Sequence, residues 1–119
     1  MINTLTVRFV LVVILIHIYI VVLEMALWQT ERARKAFATT KQFAKESATL
    51  AANQGLYNGF LVAGLVWGLL AGNDTKTHTL AFLLSFVAVA GFYGTFPVTK
   101  ATLFVQAFPA AIALLLLCH

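Results

Sequence analysis

Charge is what this chain has least of. Asp, Glu, Lys and Arg together make up 10% of 119 residues, against 61% hydrophobic. A soluble domain clothes its surface with charged residues at roughly a quarter of its positions, so an ordinary water-soluble fold is excluded and the hydrocarbon of a membrane becomes the expected solvent. The single cysteine, Cys118, excludes an intrachain disulfide and any Cys-based metal or redox motif. Repeats, low-complexity tracts and Ser/Pro-rich linkers are missing, which makes residues 1–119 one domain. Phosphate loops and cofactor fingerprints are missing too. The basic residues lack a recognition motif or an aromatic stacking platform, which argues against nucleic acid.

What is present is length in apolar runs. Four stretches, roughly Leu5 to Trp28, Asn53 to Ala71, Leu80 to Phe96 and Ala101 to Cys118, each match the 17 to 25 or so residues that carry a helix across a bilayer. The first runs past the short apolar core of a cleavable signal and has no small-x-small cleavage site before Glu24, so it reads as a helix of the mature protein. A transmembrane barrel would alternate apolar and polar residues, whereas Leu61 to Leu70 and Ala110 to Leu117 are apolar on every side. The expected fold is therefore an all-α integral membrane four-helix bundle.

Cationic loops stay on the cytoplasmic side of a membrane. Arg32, Arg34, Lys35, Lys41 and Lys45 fall between the first two spans and Lys100 between the last two, while Arg8 and Lys76 lie opposite. Both termini are thus expected on the non-cytoplasmic face, with Asn73 to Thr79 as the short outer loop, in a multi-pass membrane protein. The basic collar suits lipid headgroups. Gln29 to Lys35 continues from helix 1 without Gly or Pro, and Thr39 with Gln42 resembles a capping box. Helices 1 and 2 are accordingly expected to extend into the cytoplasm, helix 2 running from near Lys41 to about Ala71 after a turn at Phe37 to Thr40.

This arrangement puts Glu24, Asn53, Gln54, Tyr57, Asn58, Tyr93 and Gln106 at similar depth near the cytoplasmic face. Singly, Asn, Gln and Tyr serve as hydrogen-bonding glue between helices. Gathered in one layer, they are better read as the lining of a pocket for a small amphipathic molecule. Glu24, the only acidic residue within a span, is either a paired structural carboxyl or the acid or base of a reaction. His17 lies seven residues earlier, within about 20° on the same helix face. That spacing is too wide for shared ligation of one ion, so no metal site is expected and His17 is a candidate ligand contact or core histidine. Gly55 with Gly59, and Gly64 with Gly68, present small residues four apart on helix 2, which fits either packing within the bundle or a homo-oligomer. A transporter or channel subunit and a structural accessory subunit are the competing readings. Against transport, the outer halves of helices 2 and 4 carry almost no polar lining.

The run Asn53-Gln54-Gly55-Leu56-Tyr57-Asn58-Gly59-Phe60-Leu61 occurs with His17, Glu24 and Trp28, Glu31-Arg32-Ala33-Arg34-Lys35, Gly91-Phe92-Tyr93-Gly94 and Gln106-Ala107-Phe108-Pro109-Ala110. Together these resemble a family of small bacterial four-helix membrane proteins known only as a domain of unknown function. The resemblance covers nearly the whole chain and implies the fold without an activity. The layout of a cytoplasmic helical hairpin, a long second helix and a polar layer is also similar to the membrane-associated proteins of eicosanoid and glutathione metabolism, which are trimers that bind glutathione between subunits. That likeness would assign Arg32, Arg34, Lys41 and Lys45 to an anionic ligand and Tyr93 to a thiolate. The chain departs from it in having no Arg or Pro near Asn53, Tyr57 and Asn58. No other cofactor is expected.

Overall fold

The computed structural model describes residues 1–97, 100, 101 and 103–119. Among them it is all-helical, with six α-helices and one π-helical turn. Helix α1 spans Thr4–Met25. Asn3 starts it, its side chain accepting from the Thr6 amide and hydroxyl at 2.8 and 2.9 Å, which satisfies a backbone donor that the first turn leaves free. At about 1.5 Å per residue its 22 residues reach about 33 Å. The expected continuation to Trp28 and on through Lys35 does not occur. The helix ends at Met25, and after a short turn Thr30 starts a new one: its hydroxyl donates to the Leu27 carbonyl at 2.6 Å and accepts from the Ala33 amide, opening α2, Glu31–Ala36. A threonine that offers the backbone such local partners competes with helix continuation.

Helix α2 stops in a left-handed cap. The Thr39 amide bonds back to the Arg34 carbonyl at 2.9 Å and the Ala38 amide to that of Lys35 at 3.4 Å, with Ala38 at φ 54°. This is the paired pattern that usually carries glycine at Ala38's position. The cap of the next helix, α3 (Lys41–Glu46), is Thr40 rather than the expected Thr39. Thr40 accepts from the Phe43 amide, Gln42 turns to Glu46, and the Thr39 hydroxyl is buried without a hydrogen-bond partner among the described residues. Nor is helix 2 continuous from Lys41. Ser47 bonds its hydroxyl to the Phe43 carbonyl at 2.6 Å, and α4 begins after it, at Ala48–Leu70.

The expected loop Asn73 to Thr79 is the opening of α5, Asn73–Gly94, so the connection from α4 shrinks to Ala71 and Gly72. Its polar residues are satisfied on the helix itself. Thr77 donates to the Asn73 carbonyl and His78 to that of Asp74, and Asp74 favours the positive end of the helix dipole. The expected fourth span divides into the π-helical turn Leu103–Ala107 and α6, Phe108–Leu117. Thr102, within that span, lies outside the described residues. Pro109 supplies no amide for the Val105 carbonyl, and its ring crowds the preceding turn, which is why the regular helix opens there.

Helix α1 packs on α4 and α6, and α5 packs on α4, α6 and the π-turn. Where they meet, Val10, Val13, Ile14, Leu65, Leu80, Leu84, Val87, Ala110 and Ala113 form a continuous core. Gly64 and Gly68 let α5 in closely, since an added methyl would sit 2.7 Å from a Leu83 methyl and 2.9 Å from one of Leu80. This core draws on the first half of α1, the second half of α4 and the middles of α5 and α6. Glu24 and Asn58 lie beyond it, at the ends of α1 and α4 that meet the α2–α3 segment. Two helices, Thr4–Met25 and Asn73–Gly94, are long and apolar enough to cross a membrane. Helix α4 is equally long, but Asn53, Gln54, Tyr57 and Asn58 dilute its apolar content.

Candidate functional site

Glu24 leaves the last turn of α1 and is 7% exposed. The Asn58 amide on α4 donates to its Oε1 at 2.7 Å, and also to the Gln54 carbonyl at 3.2 Å. A hydrogen bond to a carboxyl in apolar surroundings is worth more than the same contact in water, because breaking it strands a buried polar group. Gly55 makes the approach possible. A methyl there would stand 2.5 Å from Met25 Cγ and 3.1 Å from Glu24 Cβ, so α4 reaches the carboxyl only with a bare backbone at this position.

A second pair lies deeper along α1. His17, 2% exposed, directs Nδ1 at the Val13 carbonyl at 2.8 Å, and its Nε2 lies 3.5 Å from Gln106 Nε2. The carbonyl can only accept, so the proton sits on Nδ1 and Nε2 presents a lone pair to the Gln106 amide. Gln106 belongs to the π-turn. Again a glycine stands beside the polar residue: a methyl on Gly91 would be 2.6 Å from the Ala107 backbone nitrogen and 2.8 Å from Gln106 Cβ.

Glu24, Asn58 and Gln106 share the wall of a cavity of about 700 Å³. Its remaining wall is mainly apolar, from Leu15, Ile16, Tyr19, Ile20 and Leu23 of α1, Ala36 and Phe37 at the end of α2, and Ala90, Gly94, Ala101 and Val105. A smaller cavity of about 320 Å³ lies on the other side of Glu24, walled by Met25, Ala26, Trp28, Gln29, Thr30 and Ala48. The α2–α3 hairpin is tied to this end of the molecule by Trp28, whose indole donates to the Ser47 hydroxyl at 3.0 Å and whose ring centroid lies 5.0 Å from that of Phe37.

The seven residues expected at one depth are thus divided. Glu24, Asn58 and Gln106 meet at the larger cavity, with His17 behind Gln106. Asn53, Gln54, Tyr57 and Tyr93 are exposed and line neither cavity. Arg32, Arg34, Lys41 and Lys45 stand on α2 and α3, also away from both, Arg34 turning to the Gln29 carbonyl. Tyr19, Phe37 and Trp28 were not singled out as wall residues by reading the sequence for polar groups. Tyr19 was detectable, lying four residues from both Leu15 and Leu23, whereas nothing in the sequence turns Phe37 back towards α1.

An all-helical protein, among the described residues, with two helices fit to cross a membrane and a buried carboxyl and histidine on the first of them is the class these features define. Residues 11–118 match the family described as protein of unknown function (DUF1304), and the chain belongs to that family. No curated protein and no solved structure matches it.

Proposed function

We propose that this chain is a multi-pass membrane protein, a bundle of four spans, whose cavity at the Glu24 end binds a small amphipathic molecule. Its membrane nature is supported by surface as well as composition: only 28% of the most apolar window of α1, and the same share of α5, is buried. A core helix of a soluble protein hides most of its apolar residues. Leu70, Phe82, Phe86 and Leu115 instead face outward, where lipid would cover them. The basic residues of the α2–α3 hairpin support an orientation with both termini on the non-cytoplasmic face of a bacterial inner membrane.

The observation that carries the ligand reading is the Glu24–Asn58 pair in the wall of a large, mostly apolar cavity. Small-molecule sites have this make-up, with a few convergent polar groups in an apolar cleft of about 300 to 1,000 Å³. Glu24 can accept or pass a proton there, while Asn58 and Gln106 orient the ligand. Transport is less well supported, because the core at the opposite end, from Val10 to Ala113, offers no polar path. A purely structural role would leave the cavity without a purpose. Glutathione is also less well supported, since among the described residues no Lys or Arg lines either cavity to meet its carboxylates.

Native mass spectrometry of the detergent-purified protein, wild type against Glu24→Gln, tests the reading. The wild type is expected to carry a small molecule that the variant loses, and the same spectra report whether it is a homo-oligomer. A ligand-free spectrum for both proteins would instead make Glu24 helix glue.

A further inference from the structure

Among the described residues Glu24 alone lines both cavities, and each wall also carries at least one aromatic residue. Trp28 faces the smaller cavity and Phe37 the larger, their rings in contact at 5.0 Å, and Tyr19 stands in the larger wall. Among the described residues neither cavity has a Lys or Arg in its wall. An anionic head would therefore meet a carboxyl and no countercharge. A cationic head meets the reverse: an acceptor within the wall, and ring faces that attract ammonium groups through their quadrupoles. The apolar wall of the larger cavity continues from there, wide enough for a hydrocarbon tail.

We infer that the ligand is a single-chain amphiphile with an ammonium head, the head held at Glu24 with the aromatic residues of the same wall, Phe37 and Tyr19, and the tail in the larger cavity. This rests on the pocket reading above and adds the sign of the head's charge.

The test uses three probes alike in chain and different in head: dodecylamine, dodecanol and dodecanoate. They are titrated at neutral pH into the Trp67→Phe protein in phosphatidylcholine nanodiscs, with empty discs subtracted. Trp67 is exposed on α4, so its removal leaves Trp28 as the fluorescent reporter. The amine is expected to give a saturable change at about tenfold lower concentration than the alcohol, the worth of one charge-assisted hydrogen bond, with dodecanoate weakest. Adding Glu24→Gln should weaken the amine about tenfold, more than it weakens the alcohol, and so remove the preference for the amine. The head-group order in the Glu24 protein decides the matter even if that variant fails to fold. Dodecanoate or dodecanol binding as tightly as the amine overturns the ammonium assignment while the pocket stands. Saturation by none of the three overturns the pocket and the assignment together.

Discussion

Gly59 and Gly91 are the same residue in helices of one chain, and the space around them gives opposite expectations. A methyl on Gly59 meets nothing within 4 Å, whereas one on Gly91 meets the Ala107 backbone nitrogen at 2.6 Å, an atom that cannot swing aside. Gly59→Ala should therefore stabilise by about 0.5 to 1 kcal/mol, since glycine in a helix interior carries that conformational penalty. Gly91→Ala should destabilise by about 1 to 3 kcal/mol as an overpacked contact and push Gln106 off His17. Thermal unfolding of the two variants in detergent checks both signs. At this scale the sequence was most informative about chemistry and least about direction. The isolated carboxyl of Glu24 stood out within its apolar run, but nothing in the sequence singled out Asn58 as its partner. Asn53 and Gln54, from the same polar run, face outward, because a helix turns about 100° per residue and one run cannot share one face.

Among the elements, the α2–α3 hairpin is where local hydrogen bonding overrode apolar pattern. The apolar runs inside α1 and α5 were legible from their length. The breaks at Thr30 and Ser47 were not, since each depends on which backbone atom a hydroxyl chooses. The loop expected at Asn73 to Thr79 was misread for a related reason: polar composition reports contact with water, and a helix end in water is as polar as a loop. Pro109 did carry a readable signal, a missing amide inside an apolar span, but its outcome as a π-turn that carries Gln106 depends on Gly91. The hairpin also holds a local cost. Ala38 adopts φ 54°, a conformation that disfavours any residue with a Cβ by about 1 to 2 kcal/mol. Ala38→Gly removes that cost, although glycine also frees the unfolded chain. A net gain of about 0.5 to 1 kcal/mol is expected, together with slower amide exchange at Thr39, measurable by hydrogen exchange with mass spectrometry.

The whole molecule is unequal end to end. A close-packed core of aliphatic side chains fills one half, and the Glu24–Asn58 pair with the two cavities occupies the other. The proposed orientation places the filled half towards the outside, and the native sequence provides its own reporter, because Cys118 is the sole cysteine and is exposed. A membrane-impermeant maleimide should label Cys118 in intact spheroplasts. Labelling only after lysis would reverse the orientation and put the α2–α3 hairpin outside.

The filled half has an electrical consequence. Water and ions need a continuous file of polar groups to cross hydrocarbon, and the nine apolar side chains of the core interrupt any such file. A bilayer holding this protein should keep the resistance of bare lipid, with or without amphiphile, as a planar-bilayer recording would show.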